Sequence, residues 1–208
     1  MQNTRQHRDA VRRAMRPIDE FLAEKGVSYA VVGSIAGMSH GYGRPTADVD
    51  MVAELPAPDG LAAEFEKRFI EKYFVDAAMI REAFKWRASF NLYHFETGLK
   101  IDIFVSKGSA FDREVTRRRE LENMDDDVAP AFWVESAEDL ILSKLVWYRK
   151  GNGASDRQWN DILAVLKVQS FSIDLDYLQH WAPQLGVADL LDKALDEAGF
   201  NETEKDAN

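Results

Sequence analysis

The 208-residue sequence contains no cysteine, which excludes disulfide bonds, cysteine nucleophiles and thiolate metal ligands. It also lacks any stretch that approaches the roughly 18 consecutive apolar residues of a membrane span. Residues 1–16 are polar and rich in arginine, without the apolar centre of a signal peptide. Together these absences predict a cytoplasmic protein with no membrane partner.

Positive charge is in short supply as well. The 26 Lys and Arg residues face 36 Asp and Glu residues, which gives a formal net charge of −10. Such a balance opposes nonspecific attraction to nucleic acid, which requires a basic face. The charges are unevenly distributed, however, with arginines concentrated in residues 5–16 and 117–119. These clusters are either solvated helix faces or a local RNA-binding patch, and the sequence leaves both interpretations open.

Three aspartates and a Gly-Ser pair form the most informative pattern in the chain. Residues 29–32 are apolar and largely β-branched, which predicts a buried strand, and Gly33-Ser34 then supplies a turn where a phosphate could approach backbone N–H groups. Asp48 and Asp50 follow in a second strand candidate, residues 48–53. Because side chains alternate along a strand, both carboxylates lie on one face and can hold the same cation.

The third aspartate, Asp102, lies in a further strand candidate, residues 100–105. It occupies the face opposite the aliphatic side chains of Ile101, Ile103 and Val105. Magnesium prefers oxygen ligands and can bridge carboxylates to triphosphate oxygens, so three converging carboxylates suit an in-line displacement at phosphorus. The pattern predicts a metal-dependent nucleotidyl transfer site with the three aspartates as catalytic and metal-binding residues.

These motifs resemble the signature of the polymerase-β-like nucleotidyltransferase superfamily: a Gly-Ser or Gly-Gly pair, a spaced Asp-x-Asp and a later acid on a strand. Residues 32–50 most resemble the branch that contains the AbiEii/AbiGii abortive-infection toxins and many uncharacterised bacterial relatives. The resemblance continues at residues 136–144 and 155–162, so it covers most of the chain. It implies an α+β nucleotidyltransferase fold, with a mixed β-sheet flanked by helices and a C-terminal helical region.

The resemblance also implies a nucleoside triphosphate (NTP) substrate, a Mg²⁺ or Mn²⁺ cofactor and a set of nucleotide-binding residues. Gly33 and Ser34 would receive the triphosphate, and Lys144 matches a lysine that family members point at the phosphates. Arg44 and Thr46 would contact phosphate or position their loop, although both residue types are also ordinary in turns. A solvated helix lysine is the alternative for Lys144.

Three more residues are candidates of lower rank. His40 is a candidate general base, but a histidine at a helix end more often has a structural role. Asp156 and Asp161 match acids of the family's helical motif, and either could be a base or a nucleotide contact. A spacing of five residues means that the two acids do not face the same way on one helix.

The predicted activity is transfer of a nucleoside monophosphate from an NTP to an acceptor hydroxyl on RNA, a protein or a small molecule. The toxin resemblance adds a defence role and a cognate antitoxin as partner. One alternative is a catalytically inactive nucleotide-binding or partner-binding protein on the same fold. Another is a structural dimer with an incidental acidic cleft.

Hydrophobic periodicity and turn residues predict the order of the elements. Three regions are expected: a core at residues 1–135, a helical region at 136–200 packed on it, and a disordered tail at 201–208. The predicted strands are residues 29–32, 48–53, 89–95, 100–105 and an edge strand at 131–134. The predicted helices are residues 4–25, 35–40, 61–73, 77–86, 137–150, 155–168, 174–181 and 187–198.

Overall fold

The computed structural model describes residues 2–42, 46–56, 60–123 and 131–200. The disorder expected for residues 201–208 therefore concerns residues outside the described ranges. The helices of the described ranges are α1 (Gln2–Glu24), α2 (Gly33–Ser39), α3 (Leu61–Phe69), α4 (Ala77–Trp86), α5 (Ala110–Arg118), α6 (Ala137–Lys150), α7 (Asp156–Val168), α8 (Leu175–Gln184) and α9 (Ala188–Ala198). The strands are β1 (Tyr29–Val32), β2 (Asp48–Ala53), β3 (Tyr73–Phe74), β4 (Ser89–His94), β5 (Lys100–Val105), β6 (Glu120–Asn123) and β7 (Ala131–Val134).

Spatial contacts divide the chain into two compact units. The first comprises Met1–Ile35 and Arg44–Glu135, and the second comprises Ala36–Gly43 and Ser136–Asn208. All seven strands of the described residues belong to the first unit, together with α1, α3, α4 and α5. Helices α6 to α9 belong to the second. Within the described ranges, none of the helices combines the length and apolar character needed to cross a membrane.

The seven strands form one mixed sheet in the order β3-β4-β5-β2-β1-β7-β6. The pairs β2·β5 and β1·β7 are parallel, and the other four pairs are antiparallel. The α+β fold with a mixed sheet and flanking helices, predicted from the sequence, is confirmed. Two of its predicted strands, β2 and β5, lie side by side at the centre of the sheet.

One face of the sheet carries the apolar core of the first unit. Alternate residues of the strands are buried there, including Met51, Ile103 and Phe90. Three helices contact this face through aromatic rings: Phe21 of α1 meets Phe65 of α3 at 4.6 Å, while Phe65 and Phe84 of α4 lie 5.6 Å and 6.0 Å from Phe90. Burying each such ring contributes ~1.5–3 kcal/mol relative to exposure. The opposite face carries the alternate residues of these strands, among them Asp50 and Asp102.

The second unit is helical in its described residues. Ser136 caps α6 by accepting a hydrogen bond from the Asp139 N–H (3.2 Å), and Ser155 caps α7 in the same way. Gly199, with φ of 90°, ends α9 in the left-handed conformation that glycine favours at a C-terminal cap. The helices bury a continuous set of apolar side chains, which includes Leu140, Ile141, Ile162, Val165, Leu178 and Leu191.

The helix predicted at residues 61–73 is too long. It ends at Phe69, and Tyr73 instead begins β3 and pairs with His94 of β4. The Tyr73 ring is fully buried, and its hydroxyl donates to the carbonyl of Ala14 at 2.8 Å. Packing of this one ring against α1 and the sheet outweighs the helical periodicity that continues through the sequence.

The strand predicted at residues 131–134 is present, but its predicted position at the edge of the sheet is wrong. Strand β7 lies between β1 and β6, and β6 forms the edge. The sequence of β6, Glu-Leu-Glu-Asn, has few residues that favour strands, so pairing with β7 determines its conformation. Helix α5 was not predicted either, although the Ser109–Asp112 capping box that begins it is visible in the sequence.

Candidate active site

The pairing of β2 with β5 brings the three aspartates together. In this parallel ladder Asp50 is the direct partner of Asp102, and Asp48 is the partner of Lys100. Paired residues point to the same face, and neighbouring strands lie about 4.8 Å apart. All three carboxylates therefore cluster on the face opposite the core, where Asp48 is exposed and the other two are partly buried.

The turn at Gly33 lies directly against this cluster. Val32 pairs with Asp50 across β1 and β2, so the chain leaves β1 beside the carboxylate. Gly33 has φ of +69°, and a Cβ atom at this position would lie 2.9 Å from Oδ2 of Asp50. Only glycine combines this backbone conformation with so close an approach. Ser34 follows as the second residue of α2.

Glu135 supports the same turn from the end of β7. The Gly33 N–H donates to Oε1 of Glu135 at 2.9 Å, and the Glu135 side chain is fully buried. The backbone of Glu135 is bonded in turn to the carbonyl of Val31 at 3.0 Å. The role of Glu135 is not visible in the sequence, because it depends on the pairing of β7 with β1. Glu135 therefore fixes the turn that carries the Gly-Ser motif.

Lys100 supplies a positive charge within the cluster. Its Nζ lies 2.7 Å from the carboxylate of Asp102, and the two side chains are 33% and 17% exposed. The hydrogen bond to Asp102 raises the pKa of Lys100, and the nearby charge of Asp48 adds to the effect. The alternation Lys-Ile-Asp predicts that Lys100 shares the face of Asp102, but it does not predict the ion pair between them.

Two polar side chains extend the cluster at its margins. Asn91 of β4 is the register partner of Asp102 and is partly buried on the same face. The hydroxyl of Thr46 donates to Oδ1 of Asp48 and so orients the most exposed of the three acids. Arg44, the other candidate of this loop, lies outside the described residues. The cluster thus gains polar neighbours from β4 and from the residues before β2, while Val32 of β1 is its apolar neighbour.

The remaining candidates belong to the second unit. Nζ of Lys144 lies 2.9 Å from Oδ2 of Asp161, and both side chains are almost completely buried. Asp156 is exposed at the start of α7. His40 is buried at the end of α2, and its carbonyl accepts a hydrogen bond from Gln169 at 3.1 Å. Their functional roles stay predictions.

The donor set of the cluster fits a hard divalent cation, because every acidic ligand offers carboxylate oxygens. In the present arrangement, no group of three acidic or histidine side chains within the described ranges is disposed to hold a metal ion. The ammonium of Lys100 is held by the Asp102 carboxylate at 2.7 Å, so it competes with any cation that binds this acid.

Comparison with known proteins relates the fold to nucleotidyltransferases. A crystal structure of an antigenic nucleotidyltransferase-like protein from Paracoccidioides brasiliensis aligns with 91% of this chain and 92% of its own, with a TM-score of 0.54 and 15% identity. The solution structure of the antibiotic-resistance factor ANT(2'')-Ia aligns with 91% of this chain and 95% of its own, with a TM-score of 0.49 and 9% identity. No protein-family model matches the sequence, and no curated protein is significantly similar to it. The first similarity shows that the chain has a nucleotidyltransferase-like fold.

Proposed function

We propose that the protein transfers a nucleoside monophosphate from an NTP to an acceptor hydroxyl, with Mg²⁺ or Mn²⁺ as cofactor. The observation that carries the proposal is the register of β2 and β5, which makes Asp50 and Asp102 direct neighbours with Asp48 on the same face. The close approach of Gly33 to Asp50 supports it, because the Gly-Ser turn and the acids then form one site.

In the proposed reaction, the acceptor oxygen forms a bond to the α-phosphorus while the bond from that phosphorus to the bridging oxygen breaks and pyrophosphate leaves. Asp48 and Asp50 would hold the cation, which when bound stabilises negative charge on the attacking and leaving oxygens. Asp102 would complete the cation site or accept the proton of the acceptor hydroxyl. Both roles require the ionised carboxylate.

Lys100 has a defined part in this proposal. Three carboxylates and one ammonium give the cluster a formal charge of −2, which a single divalent cation neutralises. A cation at Asp102 would release the Lys100 ammonium on the same face of the sheet. Lys100 could then pair with the triphosphate, whose negative charge increases on the leaving pyrophosphate.

The finer assignments come from the resemblance of residues 32–50 to the AbiEii/AbiGii branch. On that basis Ser34, Arg44, Thr46 and Lys144 would contact the nucleotide, and the acceptor would be RNA, a protein or a small molecule. A toxin-like or defence role with a cognate antitoxin belongs to the same proposal. The buried pairing of Lys144 with Asp161 means that Lys144 must leave Asp161 to reach a phosphate.

The second candidate function is a non-reacting nucleotide-binding or partner-binding protein on the same fold. The ion pair between Lys100 and Asp102 favours this alternative, because it neutralises the third acid internally. The two candidates make different predictions for the same assay. Only the enzyme leaves nucleotide covalently attached to an acceptor.

Label transfer separates the two functions. Each of the four α-phosphate-labelled NTPs is incubated with Mg²⁺, a cell extract and either the native protein or Asp48→Asn/Asp50→Asn. Asp192→Asn, an exposed substitution on α9, is the matched control. We expect the native protein and the control variant to transfer label, and the double variant to transfer none. Sensitivity of the label to ribonuclease or protease then identifies the acceptor class, and equal labelling by the double variant would refute the proposal.

A further inference from the structure

A second polar cleft lies in the first unit, apart from the three aspartates. It has a volume of about 430 Å³ and is lined by Glu54, Arg113, Thr116, Arg117, Arg119 and Trp133. Among these side chains three carry a guanidinium group and one carries a carboxylate. We call this feature the arginine cleft. In a protein with a net charge of −10, such a local excess of positive charge needs an explanation.

Helix α5 forms one wall of the arginine cleft. Arg113, Thr116 and Arg117 are spaced three and four residues apart, so they share one side of the helix. Both arginines are solvent-exposed, and Arg117 pairs with Glu114 of the same helix through a 2.9 Å hydrogen bond from Nε. This contact is bidentate and the Glu114 side chain is 22% exposed, so an incoming anion must compete with Glu114 for Arg117.

Arg119 and Trp133 form the floor. The Arg119 guanidinium lies over the Trp133 ring at 4.6 Å from its centroid, and its Nη1 donates to the carbonyl of Thr116 at 2.9 Å. These two contacts hold the guanidinium group over the ring. Guanidinium groups and aromatic rings are surfaces on which nucleic-acid bases stack.

The arginine cleft opens on the same face of the sheet as the acids. Val134 pairs with Val31 on the core face, so Trp133, the preceding residue of β7, projects from the opposite face, which is that of Asp50. Trp133 lies two strands away from Asp50 across the sheet and two residues away from it along the strand direction. With about 4.8 Å between strands and about 3.3 Å per residue, the two Cα atoms are about 12 Å apart.

We infer that the arginine cleft binds the phosphate group of a second ligand, distinct from the triphosphate at the aspartates. Guanidinium groups match phosphate oxygens in geometry, and the stacked Arg119–Trp133 floor suits an attached base. The phosphate belongs either to an oligonucleotide or to a free nucleotide. A distance of about 12 Å corresponds to roughly three to four stacked nucleotides at about 3.4 Å each. We assign this second ligand as the acceptor of the nucleotide, and that assignment rests on the proposed function. The binding of a phosphate group in the arginine cleft does not depend on it.

Fluorescence anisotropy with a fluorescein-labelled 12-nucleotide single-stranded RNA tests the oligonucleotide source. Arg113→Ala/Arg117→Ala should weaken binding at least tenfold, and Arg81→Ala should leave it unchanged. Arg81 is an exposed arginine on α4, which packs on the opposite face of the sheet, so it is the matched control. The slope of log K against log salt should become less negative by about 1.4 in the double alanine variant. Two phosphate contacts are lost, and each contact on a single strand contributes about 0.7.

Competition with AMP tests the second source. If AMP displaces the RNA completely from the native protein, a single nucleotide is sufficient to occupy the arginine cleft. If the RNA stays bound in the presence of AMP, the ligand is an oligonucleotide. Both results support the arginine cleft if they depend on Arg113 and Arg117. Equal binding by the native protein and the double alanine variant overturns the inference, as does failure of the native protein to bind either probe. Displacement of the RNA by polyglutamate as effectively as by an unlabelled RNA also overturns it.

Two further variants keep the outcome interpretable. Arg113→Lys/Arg117→Lys retains the charges but loses the planar donors, so it should bind with intermediate affinity if the protein is folded as judged by circular dichroism. Asp48→Asn/Asp50→Asn should bind RNA at least as well as the native protein. If the aspartate variant loses label transfer but still binds RNA through the arginines, the two sites are separate. Arginine-dependent binding by a native protein that transfers no label would refute the proposed function and leave the arginine cleft in place.

Discussion

Replacing Lys100 by methionine should strengthen metal binding while it weakens catalysis. Nζ of Lys100 lies 2.7 Å from the carboxylate of Asp102, so it competes with a cation for this carboxylate. The Lys100 side chain is 33% exposed, so we assign the pair the upper end of the surface range, about 1 kcal/mol. Removing this competition should tighten Mn²⁺ binding about fivefold.

The assay is a Mn²⁺ titration followed by electron paramagnetic resonance, with label transfer measured on the same samples. Lys100→Met should bind Mn²⁺ more tightly and transfer nucleotide more slowly, because the triphosphate loses a positive charge. Lys100→Arg retains the charge and should resemble the native protein in Mn²⁺ affinity. Lys67→Met, which removes an exposed lysine on α3, should change neither quantity.

A Mn²⁺ affinity that is unchanged or weaker in Lys100→Met would contradict this prediction. Such a result would mean that the ammonium does not compete with the cation for Asp102. A tighter affinity without any loss of transfer would preserve the competition but remove the role of Lys100 at the triphosphate.

Three other substitutions test further parts of the structure. Gly33→Ala places a Cβ 2.9 Å from Oδ2 of Asp50 at φ of +69°, so it should cost at least about 1 kcal/mol in urea unfolding and abolish label transfer; unchanged stability and activity would contradict the close approach. Lys144→Met leaves the buried Asp161 carboxylate without its cation and should cost about 3–5 kcal/mol in urea unfolding, whereas Lys144→Met/Asp161→Leu should recover most of the loss. Burial lowers the pKa of His94 below 6.5, so the unfolded state binds more protons and the unfolding free energy should fall as the pH drops below 6.5. His94→Gln should flatten that part of the pH profile, and an equal slope in both proteins would exclude His94 as its cause.

The central strands were predictable because their residues alternate. Val49, Met51, Ile101 and Ile103 occupy every second position, and the structure buries all four while the intervening residues stay more exposed. The same alternation placed the aspartates on a common face. Parallel neighbours are joined by long connections, so the pairing of Asp50 with Asp102 could not be derived from local pattern.

The less predictable parts depend on tertiary contacts. Strand β6 has few residues that favour strands, and it forms because it pairs with β7. Tyr73 lies in β3 rather than in the predicted helix, because its side chain packs against α1. Glu135 and Lys100 acquire their positions from strand pairing and side-chain conformation, which single-sequence patterns do not contain. The arginine cleft likewise joins residues that are far apart in the sequence.

Nucleotidyl transfer at the aspartate cluster is tested most directly by measuring pyrophosphate release together with label incorporation, in native protein and in Asp50→Asn. This substitution keeps the size of the side chain beside Gly33 and removes its charge. We expect equal amounts of pyrophosphate and incorporated label from the native protein, with both signals lost in Asp50→Asn. If Asp50→Asn releases as much pyrophosphate and incorporates as much label as the native protein, the aspartate cluster is not the site of nucleotidyl transfer.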